Sequence, residues 1–376
     1  MPIELGAEFV HGRSETTFAI IDAAALAACR LPDDHAWLRN GKWKTIRDFW
    51  EQIDALRRKI GPREMSFEAF LRSRRSLSPR LRQLAWNFVE GYHAAHADRI
   101  SALALRSSDG EQESEGENEQ YRIINGQDAL IEWLRAGTDA EIRLSSPVTR
   151  VEWSKGDVVC HGRETVRAKA AIVTIPIGVW KAGVIAFDPP LREKESAIAK
   201  LEAGHVVKIA FRFRERWWQP FNFVHSNDRF MPTWWTMAPV VTPILTGWAG
   251  GHAADAMLAE SGEAMIDRAL DALAKVFAMK RRDVDRQLVA SYTHDWQADP
   301  YSRCAYSYAG LGGSGAHDAL RKPLKNTLFF AGEATSSDET GTVSGAIASG
   351  QRAAREVLKA SPPVPRSAAS TRSFAR

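Results

Sequence analysis

The chain is poor in cysteine, in long apolar runs and in charge of one sign. Its three cysteines, Cys29, Cys160 and Cys304, are far apart and share no CxxC spacing. They exclude a disulfide framework and an obvious thiolate metal site, and they fit a reducing compartment. No apolar run approaches the roughly 18 residues of a membrane helix. The N-terminus lacks the basic, apolar and small-residue order of a signal peptide. The expectation is a cytoplasmic protein with no membrane partner. A formal net charge of +4 over 376 residues, with the basic residues spread out, excludes a dense nucleic-acid footprint. What is abundant is tryptophan, thirteen in all, with pairs at Trp217-Trp218 and Trp234-Trp235. Composition leaves two readings open: aromatic core, or an aromatic-walled pocket for a flat cofactor or organic cation.

The length allows two domains or one large one. Residues 2–12 read as a short strand entering a glycine-bounded turn. From about Thr16 to Ala97 apolar residues recur at three to four positions (Phe49, Ile53, Leu56, Ile60; Leu81, Leu84, Phe88), predicting a helical block. Residues 109–120, mostly Glu, Gln, Ser, Gly and Asn, predict a solvated acidic loop. Strands follow at 121–124, 148–153, 158–160 and 170–175, the last expected to be buried on both faces, with a helix through Leu130, Ile131 and Leu134. Val206–Phe213 alternates like a half-buried strand, and the aromatic stretch to Trp248 continues a sheet. Ala264–Phe277 predicts an amphipathic helix, Leu328–Ala331 a buried strand, Thr342–Lys359 a final helix, and 361–376 a disordered tail.

Residues 328–352 carry the most chemistry. A buried strand ends at Gly332-Glu333, and a helix rich in small residues starts near Thr342. Its first-turn N–H groups and positive dipole end suit negative charge. Physics alone leaves an ordinary strand–loop–helix equally open. This segment resembles the C-terminal flavin-binding motif of the flavin-containing amine oxidase family, which includes monoamine oxidases, polyamine oxidases and lysine-specific histone demethylases. The resemblance implies cofactor contacts at Gly332, Glu333, Thr342 and Val343; Ser344 stands where many members carry His. Glu4-Leu5-Gly6-Ala7-Glu8-Phe9-Val10-His11-Gly12 is similar to a second flavin-contacting segment. It implies cofactor contacts at Gly6, Ala7, Glu8 and Phe9, and His11 on the substrate side. Pro147–Val151 resembles the strand that holds adenine through a valine backbone, here Val148. Residues 174–179 and 187–191 resemble the crossing into the substrate domain.

Lys208, in Val207–Phe213, stands where the family places a lysine that holds a water against flavin N5, with Trp217-Trp218 downstream as the family's aromatic pair. WQADPYSRCAYSY, from Trp296 to Tyr308, resembles the signature that walls the flavin with aromatics. It implies Trp296 at both cofactor and substrate, and Tyr306 beside them. Monoamine oxidases link their flavin through a cysteine immediately before this tyrosine. Here that residue is Ala305, and Cys304 lies one position early, so noncovalent FAD is expected.

The resemblance implies a mixed α/β fold: an incomplete Rossmann-like FAD-binding domain (1–15, 121–185, 318–360) interleaved with a sheet-plus-helix substrate domain (16–108, 186–317). The implied activity is oxidation of a small amine, with oxygen as final acceptor. Family members open with a strand, a GxGxxG turn and a helix, whereas this chain starts inside the following segment. A late start codon, a gene fragment or a partner chain each accounts for that, and strands otherwise covered are expected to show an open edge and apolar surface. Gly310–Gly315 spells GxGxxG, yet Pro323 interrupts the helix it would open, so it is rejected as a nucleotide site. The rival expectation is a non-catalytic remnant that binds FAD weakly or not at all. A third keeps the flavin and changes the substrate, as in desaturases and porphyrinogen oxidases.

Overall fold

The computed structural model describes residues 2–106 and 119–360. The 361–376 tail and all but the end of the 109–120 loop lie outside it. The architecture is mixed helix and sheet. Its largest sheet has seven strands in the order 288–293, 206–213, 244–250, 233–236, 223–225, 35–39 and 42–46. Four smaller sheets among the described residues accompany it, one of them the pair Leu201–Ala203 and Ser307–Ala309. Val10–His11, Gln120–Ile123 and Ala28–Arg30 form another, and Ala186–Asp188, Arg150–Ser154, Asp157–His161 and Thr165–Ala168 a third. Leu328–Phe330 pairs in parallel with Ala171–Val173.

Val206–Phe213 is the strand that positions the site, and it is buried almost throughout rather than half-buried. Alternation along a strand sends side chains to opposite faces. Val207, Ile209, Phe211 and Phe213 enter the main core with Ala269, Leu270 and Leu273 of the amphipathic helix Gly262–Phe277. Each such side chain contributes about 1.5–3 kcal/mol when fully buried. Ser261 caps that helix by accepting from Ala264 N. On the opposite face Ala210 packs with Met237, Ile244 and, from the N-terminal segment, Ile3. Lys208 shares that parity, so it too is covered by the N-terminal segment.

The block predicted as helical contains helices Phe49–Arg57, Phe67–Ser73 and Pro79–Tyr92, which share one core. It also contains the strands Ala28–Arg30, His35–Arg39 and Lys42–Ile46. The last two form a hairpin through Asn40 and Gly41, at φ 49° and 73°. Asn-Gly between alternating runs is the signature of a tight hairpin; helical spacing in the neighbouring residues masked it. Helix Glu15–Ala23 and strand Ala28–Arg30 lie with the 120–123 strand and the C-terminal helix, not with the helical block.

Ala171–Val173 is not buried on both faces, since Ile172 is 41% exposed. Among the described residues its one strand partner is Leu328–Phe330. Ile131, in helix Gln127–Ala136, is 54% exposed, so that helix's apolar pattern is only partly covered. No helix of the described residues is long and apolar enough to cross a membrane.

Candidate active site

The N-terminal segment threads between the large sheet and the 120–136 region, held by polar contacts at Glu4, Leu5, Gly6 and Glu8. Glu4 accepts from Gln127 N at 2.7 Å, at the start of helix 127–136, where a carboxylate gains from the helix dipole. Leu5 O accepts from Trp296 Nε1 at 3.0 Å, and Gly6 O accepts from Lys208 Nζ at 3.1 Å. A Cβ on Gly6 would stand 3.1 Å from the Trp296 ring, so the glycine allows backbone and indole to meet. Lys208 and Trp296 thus hold consecutive carbonyls of one segment. Ala7 is exposed and Glu8 buried.

Lys208 and Glu8 are each 3% exposed at the side chain, and Nζ lies 2.5 Å from Glu8 Oε2. Arg122, equally buried, bonds Glu8 Oε1, and Trp235 Nε1 donates to Oε2 at 3.1 Å. Burial opposes ionisation of Glu8, but Lys208 and Arg122 outweigh it and hold the carboxyl below the usual range. One carboxylate is therefore shared by two buried cations, and Glu4 also acts on Lys208. Arg122 escaped sequence analysis, although an arginine inside the run Tyr121-Arg122-Ile123-Ile124 is a signal, because arginine is almost never fully buried unless paired.

The tryptophan pairs divide. Trp217, Trp218 and Trp234 belong to the main core, so the Trp217-Trp218 pair lies on the helix side of the sheet, away from Lys208. Trp235 faces the site, with Lys208 Nζ 5.7 Å from its ring. From Trp235 the rings continue through Phe9 (5.5 Å), His11 (6.3 Å) and Tyr92 (5.0 Å). Tyr92 O accepts from Tyr306 Oη at 2.8 Å. Burial foremost pushes the Tyr306 hydroxyl up, with Tyr92 and Glu333 adding to it. A row of rings thus runs from Trp235 to Tyr92, whose backbone carbonyl holds the Tyr306 hydroxyl. Trp235 and Tyr92 were not picked out from sequence, since no spacing marks them apart from core aromatics.

Burial lowers His11 to about 4 and His93 to about 3. Both folded values lie below the ordinary 6.5, so the unfolded chain takes up these protons first. Stability is then expected to fall as pH drops from about 6.5 towards 4. His11→Phe should flatten the slope of melting temperature against pH across that window; an unchanged slope contradicts the burial of a neutral imidazole there.

The C-terminal helix Val343–Ala360 begins where expected. Thr342 Oγ1 accepts from Gly345 N at 2.9 Å, and Thr342 O from Ala346 N. The first-turn N–H groups of Val343 and Ser344 are those outside the helical ladder. Thr342→Ala should cost about 1 kcal/mol through loss of this cap, read as a lower denaturation midpoint. Ser344 accepts from Thr17 Oγ1 at 2.7 Å, tying the helix to Glu15–Ala23. Glu333 accepts from Ser307 N, Ser307 Oγ and Gly341 N, bracing the strand Ser307–Ala309, which follows Tyr306, against the helix start. Burial raises its carboxyl, and these bonds only partly offset that. Gly332 and Gly341 have φ of 110° and 73°, and a Cβ on Gly341 would stand 2.8 Å from the Tyr306 ring.

Val148 stands apart from this assembly, partly exposed ahead of the Arg150–Ser154 strand. The Gly310–Gly315 turn donates inward, Gly310 N to Lys200 O and Gly313 N to Gly310 O. The helix after it has only six residues, Ala316–Arg321.

A family model described as flavin containing amine oxidoreductase matches residues 8–358. Over 261 residues the chain is 32% identical to lysine-specific histone demethylase 1 homolog 3 of Arabidopsis thaliana, covering 63% of this chain and 16% of that protein. Over 296 residues it is 32% identical to polyamine oxidase 3 of Oryza sativa subsp. japonica, covering 74% and 58%. The chain therefore spans less than two thirds of these curated relatives. A structure of wild-type putrescine oxidase bound to putrescine superposes with a TM-score of 0.78 at 20% identity, over 95% of this chain and 88% of that one. Cyclohexylamine oxidase from Brevibacterium oxydans IH-35A gives 0.77 at 18%, over 95% and 88%. At these identities the structures show a shared fold.

Proposed function

The chain belongs to the flavin containing amine oxidoreductases, and from that membership we propose that it is an FAD-dependent amine oxidase with a noncovalently held cofactor. The residues fit a flavin. The unladdered N–H groups of Val343 and Ser344 lie at a positive helix end, and Gly341 lets the backbone before it lie against the Tyr306 ring. Cys304 fits no covalent link. It is buried, its Sγ donates towards Ser302 O, and burial pushes its thiol up to about 11, a poor nucleophile. Bound there, FAD would supply a hydride acceptor for the amine's α-carbon and a two-electron donor to oxygen, so that amine, oxygen and water would give aldehyde, smaller amine or ammonia, and hydrogen peroxide.

The chain's own part is position and charge. Trp296 and Lys208 fix the 5–6 backbone, Gly6 lets the Trp296 ring approach it, and Glu333 joins Ser307, next to Tyr306, to the helix start. An ammonium has three donors; Glu8 and Gly6 O take two of Lys208's, and the third is available to orient a water or proton at the reacting centre. The ring faces from Trp235 to Tyr306 attract an organic cation through their quadrupoles. The cofactor side is assigned to 1–15, 121–185 and 318–360, joined by 15–30, and the substrate side to the seven-stranded sheet and its helices. The observation that carries this reading is the buried Lys208–Glu8 pair aimed at the N-terminal segment. Peroxide release tests it, using the chain with FAD and a monoamine, a diamine and a polyamine. Peroxide in step with aldehyde from at least one is expected; none from any favours the non-catalytic remnant.

A further inference from the structure

Three stretches distant in sequence converge on Asp255, outside the residues assigned to amine oxidation. His96 Nε2 lies 2.7 Å from Asp255 Oδ2, and His205 Nδ1 lies 2.6 Å from Oδ1. One donor atom from each residue falls within 4.8 Å of the other two. The floor is buried and the mouth open: His96 is 1% exposed at its side chain, His205 35% and Asp255 41%. Imidazole nitrogens and a carboxylate oxygen are donors that a metal ion takes up.

The surroundings also suit a metal. Tyr308 Oη lies 3.2 Å from His96 Nδ1, the nitrogen turned away from Asp255, as in sites where an outer partner fixes the ligand's tautomer and ring. His252 stands edge-on to His96 at 4.8 Å, but its own nitrogens go to Glu90 (2.5 Å) and Asp98 (3.3 Å). It frames the cluster without joining it.

We propose that His96, His205 and Asp255 bind a divalent transition-metal ion, Zn2+ the best match. Two imidazoles, one carboxylate and an open position for water make a three-ligand zinc set. The ion would clamp the loop after helix Pro79–Tyr92 to the start of strand Val206–Phe213 and to helix Gly251–Leu258. Tyr92 and Lys208 lie just beyond two of the clamped points, so the ion's expected effect is to stiffen the frame that carries them.

The test is calorimetric titration of Zn2+ into the full chain after treatment with EDTA, with Mg2+ as control. One Zn2+ per chain is expected, with a higher melting temperature and no heat from Mg2+. His205→Gln and Asp255→Asn sit at the partly exposed mouth and should each weaken binding by about a hundredfold or more, while Tyr308→Phe should weaken it about tenfold. His252→Gln should bind as the native chain does. No stoichiometric binding overturns the proposal, as does affinity unchanged in both mouth variants or lost only in His252→Gln. None of these readouts needs FAD or turnover, so failure here is separable from failure of the oxidase reading.

Discussion

Glu8→Gln is expected to destabilise the protein by about 3–5 kcal/mol, the cost of leaving buried charge without its partner. Lys208 and Arg122 are both buried and both bonded to this one carboxylate. The amide keeps the shape and some hydrogen bonding but removes the one carboxylate that both cations bond. Arg122→Leu should cost less, because it leaves the Glu8–Lys208 pair intact. The pH dependence has a definite sign. Glu8's folded value lies below its ordinary one, so its contribution is fully present above about 4.5 and is lost as pH falls through the lower folded value. Urea midpoints of both variants at neutral pH measure the difference. Equal midpoints for Glu8→Gln and the native chain would mean that the network contributes no net stability.

Lys208→Met is expected to slow amine oxidation by about a hundredfold or more, the scale of a positioned proton-handling group. Methionine matches the length of the stem and fills the apolar surroundings, and Glu8 keeps Arg122 and Trp235, so the fold should persist. The loss belongs in kcat or in reoxidation by oxygen rather than in KM, because the bonds of the ammonium go to Glu8 and the Gly6 carbonyl. Stopped-flow measurement of both half-reactions separates these cases. An unchanged rate in each would remove Lys208 from the reaction and leave it a purely structural cation.

The fold class and the segments that meet at the site were legible because each carries a local rule. A strand ends in glycine and a small-residue helix starts under a threonine cap; an aromatic stretch at 296–306 meets an N-terminal run bare enough to touch it. What was not legible depended on distance in sequence. Nothing near Glu8 announces Arg122 or Trp235 as its partners, 114 and 227 residues away. Lys208 lies in a run whose alternation suggests one wet face, yet the N-terminal segment covers that face, and only tertiary structure supplies such a cover. The strands at 35–46 were overridden by helical spacing on both sides, although the Asn40-Gly41 turn stood in plain view. Trp234 and Trp235 divide between core and site for the same reason: adjacent strand residues face opposite ways, and composition does not say which face is which.

The most direct test of the central claim is the absorption spectrum of the purified chain with FAD, recorded anaerobically before and after an amine is added. Bands near about 380 and 450 nm that bleach with the amine and return with oxygen are expected of a chain that binds FAD and delivers an amine's hydride to it. A chain that acquires no flavin spectrum in excess FAD, or whose bands persist with every amine tried, contradicts the account.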